Sequence, residues 1–69
     1  MRLDIRKILV PLDKNVSLER SVSASHRITE AIEVMLKNDL RRIAVTNRGM
    51  VVGMIRLEDA LKKVGLQGI

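Results

Sequence analysis

The spacing of apolar residues in this chain changes from helical to strand-like and back to helical between residues 28 and 64. The first helical stripe comprises Ile28, Ala31, Ile32, Met35 and Leu36. A second follows, comprising Leu57, Ala60, Leu61 and Val64. Recurrence at three- and four-residue intervals is typical of amphipathic helices. Between the two helical stripes, residues 41–46 and 50–55 are rich in β-branched or other apolar side chains, as strands are. They flank the tight turn Asn47-Arg48-Gly49. This pattern predicts a β-hairpin.

The residues before the first helix predict shorter elements. Ile5, Ile8, Leu9 and Leu12 share one face of a short helix, which Pro11 should end near Val10 because the residue before proline avoids helical geometry. Residues 13–20 are expected to form a loop, and "SVSAS" at 21–25 a short strand. The order is therefore β-α-β-β-α after an N-terminal helix. This α+β fold is a three-stranded sheet with two helices on one face.

Two helices cover only one face of such a sheet, so the other face is predicted to lie open to solvent or to a second copy. Hydrophobic residues make up 46% of only 69 residues, and a chain this short buries only ~60% of the surface that it exposes when unfolded. Exposed apolar surface usually marks a binding partner. The sequence therefore favours an oligomer.

Several residues are expected to define the helix ends. Ser25 or His26 would cap the first helix and Asn38 would end it, while Gly65 is a natural stop for the second. Two i,i+4 ion pairs are predicted on the second helix, namely Glu58–Lys62 and Asp59–Lys63.

Composition excludes several classes of function. The chain has no cysteine and one histidine, so a disulfide, a thiolate metal site and a histidine-rich metal site are ruled out. No nucleophile–base set or phosphate-binding glycine loop is visible, so the chain is not expected to be an enzyme. No apolar run approaches the ~20 residues that span a bilayer. The first ten residues include Asp4 and do not resemble a secretory leader, so a cytoplasmic protein is expected.

The net charge of +5 is compatible with an anionic small ligand, a membrane surface, nucleic acid or merely a soluble basic surface. Nucleic-acid binding through phosphates would use Arg20, Arg27, Arg41, Arg42, Arg48 and the lysines of the second helix. It is the least favoured reading, because the chain has no aromatic residue on which bases could stack.

The segment "ITEAIEVMLKNDLRRIAVTNRGMVVGMIRLEDAL" resembles a single CBS motif, the unit named after cystathionine β-synthase. The likeness lies in Ile28 to Ala31 opening the first helix, in Met35 one turn on, and in "LRRIAV" and "GMIRLED" around the hairpin. It runs over residues 21–65, leaving 1–20 as N-terminal helix and linker and 66–69 as a tail.

The resemblance implies a regulatory module whose motifs work in pairs. The chain would pair as a homodimer, or with a second motif in a longer parent chain. In the cleft between paired motifs it would sense an adenosine-containing ligand that resembles AMP. ADP, ATP and S-adenosylmethionine are the other candidate ligands. No cofactor is expected to be required. The alternative is a ligand-free assembly module.

The resemblance also suggests site residues. Asp59 corresponds to the family aspartate that binds the two ribose hydroxyls, and it could equally be an ordinary first-turn acid. Arg56 stands where the family has Ser or Thr, so it either binds phosphate or blocks the cleft. Glu58 nearby favours a ligand with one phosphate, or none, over ATP.

The remaining candidates precede the second strand or open the first helix. Leu40, Arg41 and Arg42 match positions that contact the base and sometimes the phosphate. His26 and Ala24 match positions near the base, where small or hydroxyl residues are usual. If residues 41 and 42 are both extended, only one arginine can face the cleft.

Overall fold

The computed structural model describes residues 5–68, with side chains described up to residue 65. Its elements are a 3₁₀ helix at Ile5–Ile8, β1 at Ser21–Ser23, α1 at Ile28–Lys37, β2 at Arg42–Asn47, β3 at Met50–Arg56 and α2 at Leu57–Gly68. This order confirms the predicted β-α-β-β-α fold and its short N-terminal helix, which is a 3₁₀ helix. Residues 1–4 of the predicted N-terminal helix and residue 69 of the tail lie outside the described residues. No helix in the described range has the length and apolarity to cross a membrane.

The central strand of the three-stranded sheet is β2. It runs parallel to β1, with Val22 opposite Val45, and antiparallel to β3, with Ile43 opposite Ile55. Because side chains alternate along a strand, Ile43, Val45 and Ile55 share one face and pack into the core with both helices.

The helices bury the apolar stripes that their spacing predicts, with two exceptions, Leu36 of α1 and Leu61 of α2, the latter 48% exposed. The buried residues of α1 are Ile28, Ala31, Ile32 and Met35. Leu36 was predicted to belong to this stripe and is instead 61% exposed, because it lies on the outer border of the stripe. Ala60 of α2 and Ile5 of the 3₁₀ helix are fully buried in the same core.

The first helix has its N-cap one residue after His26 and two after Ser25, the two predicted caps. Arg27 occupies the N-cap position and no side chain caps the helix, so the prediction of a Ser25 or His26 cap is wrong. His26 instead accepts a hydrogen bond at Nδ1 from the Ser23 amide, at 3.1 Å.

The helix ends differ in how well the sequence predicted them. Asn38 ends α1, as predicted. The next residue, Asp39, has φ 55°, and the Leu40 amide then donates to the Met35 carbonyl at 2.7 Å, which is a Schellman motif. The prediction that Gly65 stops α2 is wrong, because the helix continues to Gly68.

The hairpin turn uses two left-handed residues. Arg48 has φ 55° and Gly49 has φ 81°, and Asn47 pairs with Met50 across them. This is a two-residue type I′ turn, whose twist matches that of the strands. Glycine was expected to take this conformation, but the arginine was not.

The prediction that the second sheet face is open is wrong over its middle. Ala44 and Met54 lie on that face, opposite each other, and both are buried. Val10 forms two hydrogen bonds with Met54 at the free edge of β3. From Val10, residues 11–20 lead to β1 at the opposite edge of the sheet. Asp13 in this connection accepts a hydrogen bond from Arg42, whose side chain lies on the second face. The connection therefore passes over the second face.

Among the side chains that the structure describes, the large apolar residues that stay exposed lie in the linker, on the helices and at the hairpin end of the sheet. They are Leu12, Leu18, Leu36, Met50, Val51, Val52 and Leu61. Met50, Val51 and Val52 are consecutive, and the pairing of β3 is shifted here by a bulge between Val45 and Thr46. The exposed apolar surface of the sheet is thus confined to its hairpin end.

Candidate functional site

A cleft of about 360 Å³ lies at the end of the sheet opposite the hairpin turn. We call it the arginine cleft; its lining residues are Arg41, Arg42, Arg56, Leu57, Glu58 and Leu61. Two contacts bring these residues together. Arg42 and Arg56 are opposite each other on β2 and β3, and the Leu57 amide at the start of α2 donates to the Arg41 carbonyl at 2.7 Å.

Arg56, the last residue of β3, is held by an acid in the first turn of α2. Its Nε donates to Asp59 Oδ2 at 2.7 Å, and both side chains are partly exposed. The hydrogen bond that Arg56 donates to Asp59 and the negative charge of Asp59 raise the pKa of Arg56. Desolvation lowers this pKa to a lesser extent, and the charge of Glu58 raises it by a still smaller amount. Arg56 is therefore a permanent cation whose position is fixed by Asp59.

Arg42 is held by the linker. Its Nη1 donates to Asp13 Oδ2 at 3.0 Å. The other carboxylate oxygen of Asp13 accepts from the Asn15 amide, and the Asp13 carbonyl accepts from Val16. This turn fixes the carboxylate, so the linker supplies an internal anion to the cleft.

Arg41 is the cleft cation that remains available. In the part of the chain that the structure describes, its guanidinium makes no hydrogen bond or ion pair. The charges of the other two arginines are matched by Asp13 and Asp59, and Glu58 adds a third carboxylate at the rim. The cleft is thus close to neutral overall, which suits a ligand with little negative charge rather than a polyphosphate.

A second recess of about 330 Å³ lies between the 3₁₀ helix and α2. We call it the lysine pocket; it is lined by residues 7–10 together with Asp59, Lys62 and Lys63. Asp59 thus faces this recess while its Oδ2 bonds Arg56. The predicted ion pairs Glu58–Lys62 and Asp59–Lys63 do not form among the described residues. For the second pair the reason is that Asp59 bonds Arg56 instead.

The structure brings together only some of the predicted site residues. Arg41 and Arg56 line the arginine cleft, and Asp59 adjoins it through Arg56. Leu40 packs against the hydrophobic core, because the Schellman motif turns it inward.

Ala24 and His26 lie at the far end of the sheet. The Ala24 amide donates to the Thr46 carbonyl, and Thr46 is four residues from Arg42 along β2, or about 13 Å at the usual rise of a strand. Within one chain these two residues cannot share the cleft with Arg41.

The sequence pattern allowed only one of Arg41 and Arg42 in the cleft, and it did not indicate Leu57, Leu61 or the contact of Asp13 with Arg42. Arg41 and Arg42 both line it, although alternation predicted only one, because β2 begins at Arg42 and Arg41 is not constrained by the strand. Asp13 is 29 residues from Arg42 in the chain. No local pattern indicates such a contact.

A small β-α-β-β-α unit with a charged cleft beside its last helix has the features of a ligand-binding module. The family model for the CBS domain matches residues 10–66. The chain therefore belongs to the CBS domain family, as a single such domain, and the predicted resemblance is confirmed. CBS domains are commonly regulatory, ligand-binding modules rather than catalytic ones. No curated protein matches the chain.

Proposed function

We propose that this chain is a regulatory module that pairs with a second copy and senses an adenosine-containing ligand, AMP-like in charge, in the arginine cleft. The observation that carries the proposal is the unpaired Arg41 guanidinium beside a cleft of about 360 Å³. That volume falls within the ~300–1,000 Å³ of small-molecule sites. Leu57 and Leu61 supply apolar surface for a base or ribose.

Each group of the ligand has a candidate partner. Guanidinium groups bind phosphate through paired hydrogen bonds, which assigns the phosphate to Arg41. Asp59 Oδ1 has no hydrogen-bond partner in the described part of the chain, so it is available to a ribose hydroxyl. The near-neutral cleft favours AMP over ATP.

Pairing would give the ligand its regulatory effect. A ligand that contacts both copies stabilises one relative orientation of them, and so shifts the population toward it. The exposed residues Met50, Val51 and Val52 support an interface at the hairpin end of the sheet. Pairing would also let the exposed His26 of a second copy approach the cleft of the first. Ala24 is buried in the core of its own chain, so its side chain stays out of the cleft.

One observation favours the alternative of a ligand-free assembly module. Asp59 and Asp13 already satisfy Arg56 and Arg42, so an incoming phosphate has to compete with internal carboxylates. On this alternative the arginines stabilise the fold, and the exposed hairpin end alone carries the function.

Calorimetric titration with AMP and adenosine distinguishes the two. We expect AMP to bind with a Kd between about 10 μM and 1 mM, or roughly −4 to −7 kcal/mol. Arg41→Ala should weaken AMP about 5- to 20-fold by removing a charge-assisted contact, and should leave adenosine nearly unchanged. Asp59→Ala should weaken both ligands, since both contain the ribose.

Arg27→Ala is the matched control. It removes the same charge from an exposed residue at the other end of the sheet, and should change AMP affinity less than about twofold. If neither compound binds, the assembly module replaces the sensor. If Arg27→Ala weakens AMP as much as Arg41→Ala does, general charge attraction explains the binding and the cleft does not.

A further inference from the structure

The lysine pocket is formed by two elements that are far apart in sequence. Lys7 comes from the 3₁₀ helix, whereas Lys62 and Lys63 come from the second turn of α2. The apolar segment 8–10 forms a wall of the same recess. Val10 is fixed there by its two hydrogen bonds to Met54, so the wall is anchored to the sheet.

The charge of this pocket is not neutralised from within. Among the described residues, none of the three lysines makes an ion pair. The one acid in the lining, Asp59, is engaged on its other side by Arg56. Three ammonium groups against one partly neutralised carboxylate leave the recess with a local excess of about two positive charges. This contrasts with the arginine cleft, where internal carboxylates match the arginines.

We propose that the lysine pocket is a second ligand site, which binds a small molecule carrying at least two phosphate groups. Ammonium groups bind phosphate as point charges with several donors each, and lysines on two elements can contact two phosphate groups at once. The apolar wall of residues 8–10 accommodates an uncharged part of the ligand. The phosphate contacts of this site come from the lysines alone, and Asp59, which the pocket shares with the proposed AMP site, takes no part in them.

The size of the recess favours a small molecule over nucleic acid. Its volume is about 330 Å³, which lies at the lower end of the ~300–1,000 Å³ of small-molecule sites. Nucleic acid would instead engage basic residues spread over the surface, and the chain has no aromatic residue on which a base could stack.

Calorimetric titration with inorganic pyrophosphate at a constant ionic strength of ~0.1 M tests the site. The double variant Lys62→Ala/Lys63→Ala should weaken pyrophosphate binding at least about fivefold, because two charge-assisted contacts are lost. Lys7→Ala, on the other element, should weaken it about two- to fivefold. Both changes are at side chains that lie at the surface or are only partly buried, so the fold should be retained, and circular dichroism checks this.

The matched control is Lys14→Ala/Lys37→Ala, which removes equal charge from exposed lysines outside the pocket. It should change the affinity less than about twofold, as should Arg41→Ala in the arginine cleft. The proposal is overturned if pyrophosphate does not bind the native chain, or if the control weakens binding as much as the pocket variant. If Arg41→Ala weakens AMP binding by the expected factor of about 5 to 20 and leaves pyrophosphate binding intact, the two ligands bind at separate sites. If AMP fails to bind while pyrophosphate binds at the lysines, only the proposed AMP sensor is lost.

Discussion

Replacing Gly53 by alanine should destabilise the domain by about 2–3 kcal/mol, the upper part of the range for overpacked sites. A Cβ at residue 53 would lie 2.7 Å from the Val10 carbonyl oxygen and 3.1 Å from the Leu9 side chain. The carbonyl is backbone and is held by the Met54 amide at 3.0 Å. The clash can therefore be relieved only by moving residues 9–10 away from β3, which also disturbs the packing of Leu9.

Urea denaturation of the two proteins measures this difference, and Gly65→Ala is its control. No atom lies within 4 Å of a Cβ at residue 65, and the residue is inside α2. This substitution should therefore stabilise the domain by ~0.5–1 kcal/mol through helix propensity. Equal stability of Gly53→Ala and the native chain would show that residues 9–10 do not pack on β3 in solution.

Replacing Ile5 by alanine should cost about 2–5 kcal/mol, as for other large-to-small changes in a core. Ile5 has no exposed surface and belongs to the same core as both helices. The whole stability of a 69-residue domain is expected to be only about 3–10 kcal/mol. A substantial unfolded fraction at 37 °C is therefore the expected result.

Thermal unfolding followed by circular dichroism measures the loss, with Leu36→Ala as the control. Both changes truncate an aliphatic side chain, but Leu36 is 61% exposed, so its removal should change stability by less than ~0.5 kcal/mol. If Ile5→Ala unfolds no earlier than Leu36→Ala, the N-terminal 3₁₀ helix is not part of the core. Because the CBS match begins at residue 10, this variant also tests whether the preceding residues belong to the folding unit.

The sequence predicts the fold well where periodicity and turn chemistry agree. The helical stripe that begins at Ile28 becomes the buried side of α1, and Gly49 takes the positive φ that a type I′ turn requires. Both signals are local, so they depend on few neighbours.

The errors arise where tertiary contacts outweigh local preference. Gly65 does not stop α2, since glycine tolerates a helix interior at a cost of only ~1 kcal/mol. The coverage of the second sheet face depends on the path of residues 11–20, which has no periodic pattern. A contact such as Asp13–Arg42 cannot be read from spacing.

The site was predictable only in part for the same reason. Arg56 and Asp59 are three residues apart at the start of α2, and their proximity follows from helix geometry. Leu40 was assigned to the ligand from its place before β2. A left-handed Asp39 turns it into the core instead. The separation of Ala24 from Arg41 depends on strand register, which the sequence alone did not specify.

The central claim is that the chain acts as a pair, and sedimentation velocity at high micromolar concentration tests it most directly. We predict a species of about twice the 7.8 kDa chain mass. Val52→Lys, which places a charge in the exposed hairpin end, should give the monomer, whereas Leu36→Lys on α1 should leave the dimer intact. A compact monomer for the native chain would contradict the claim.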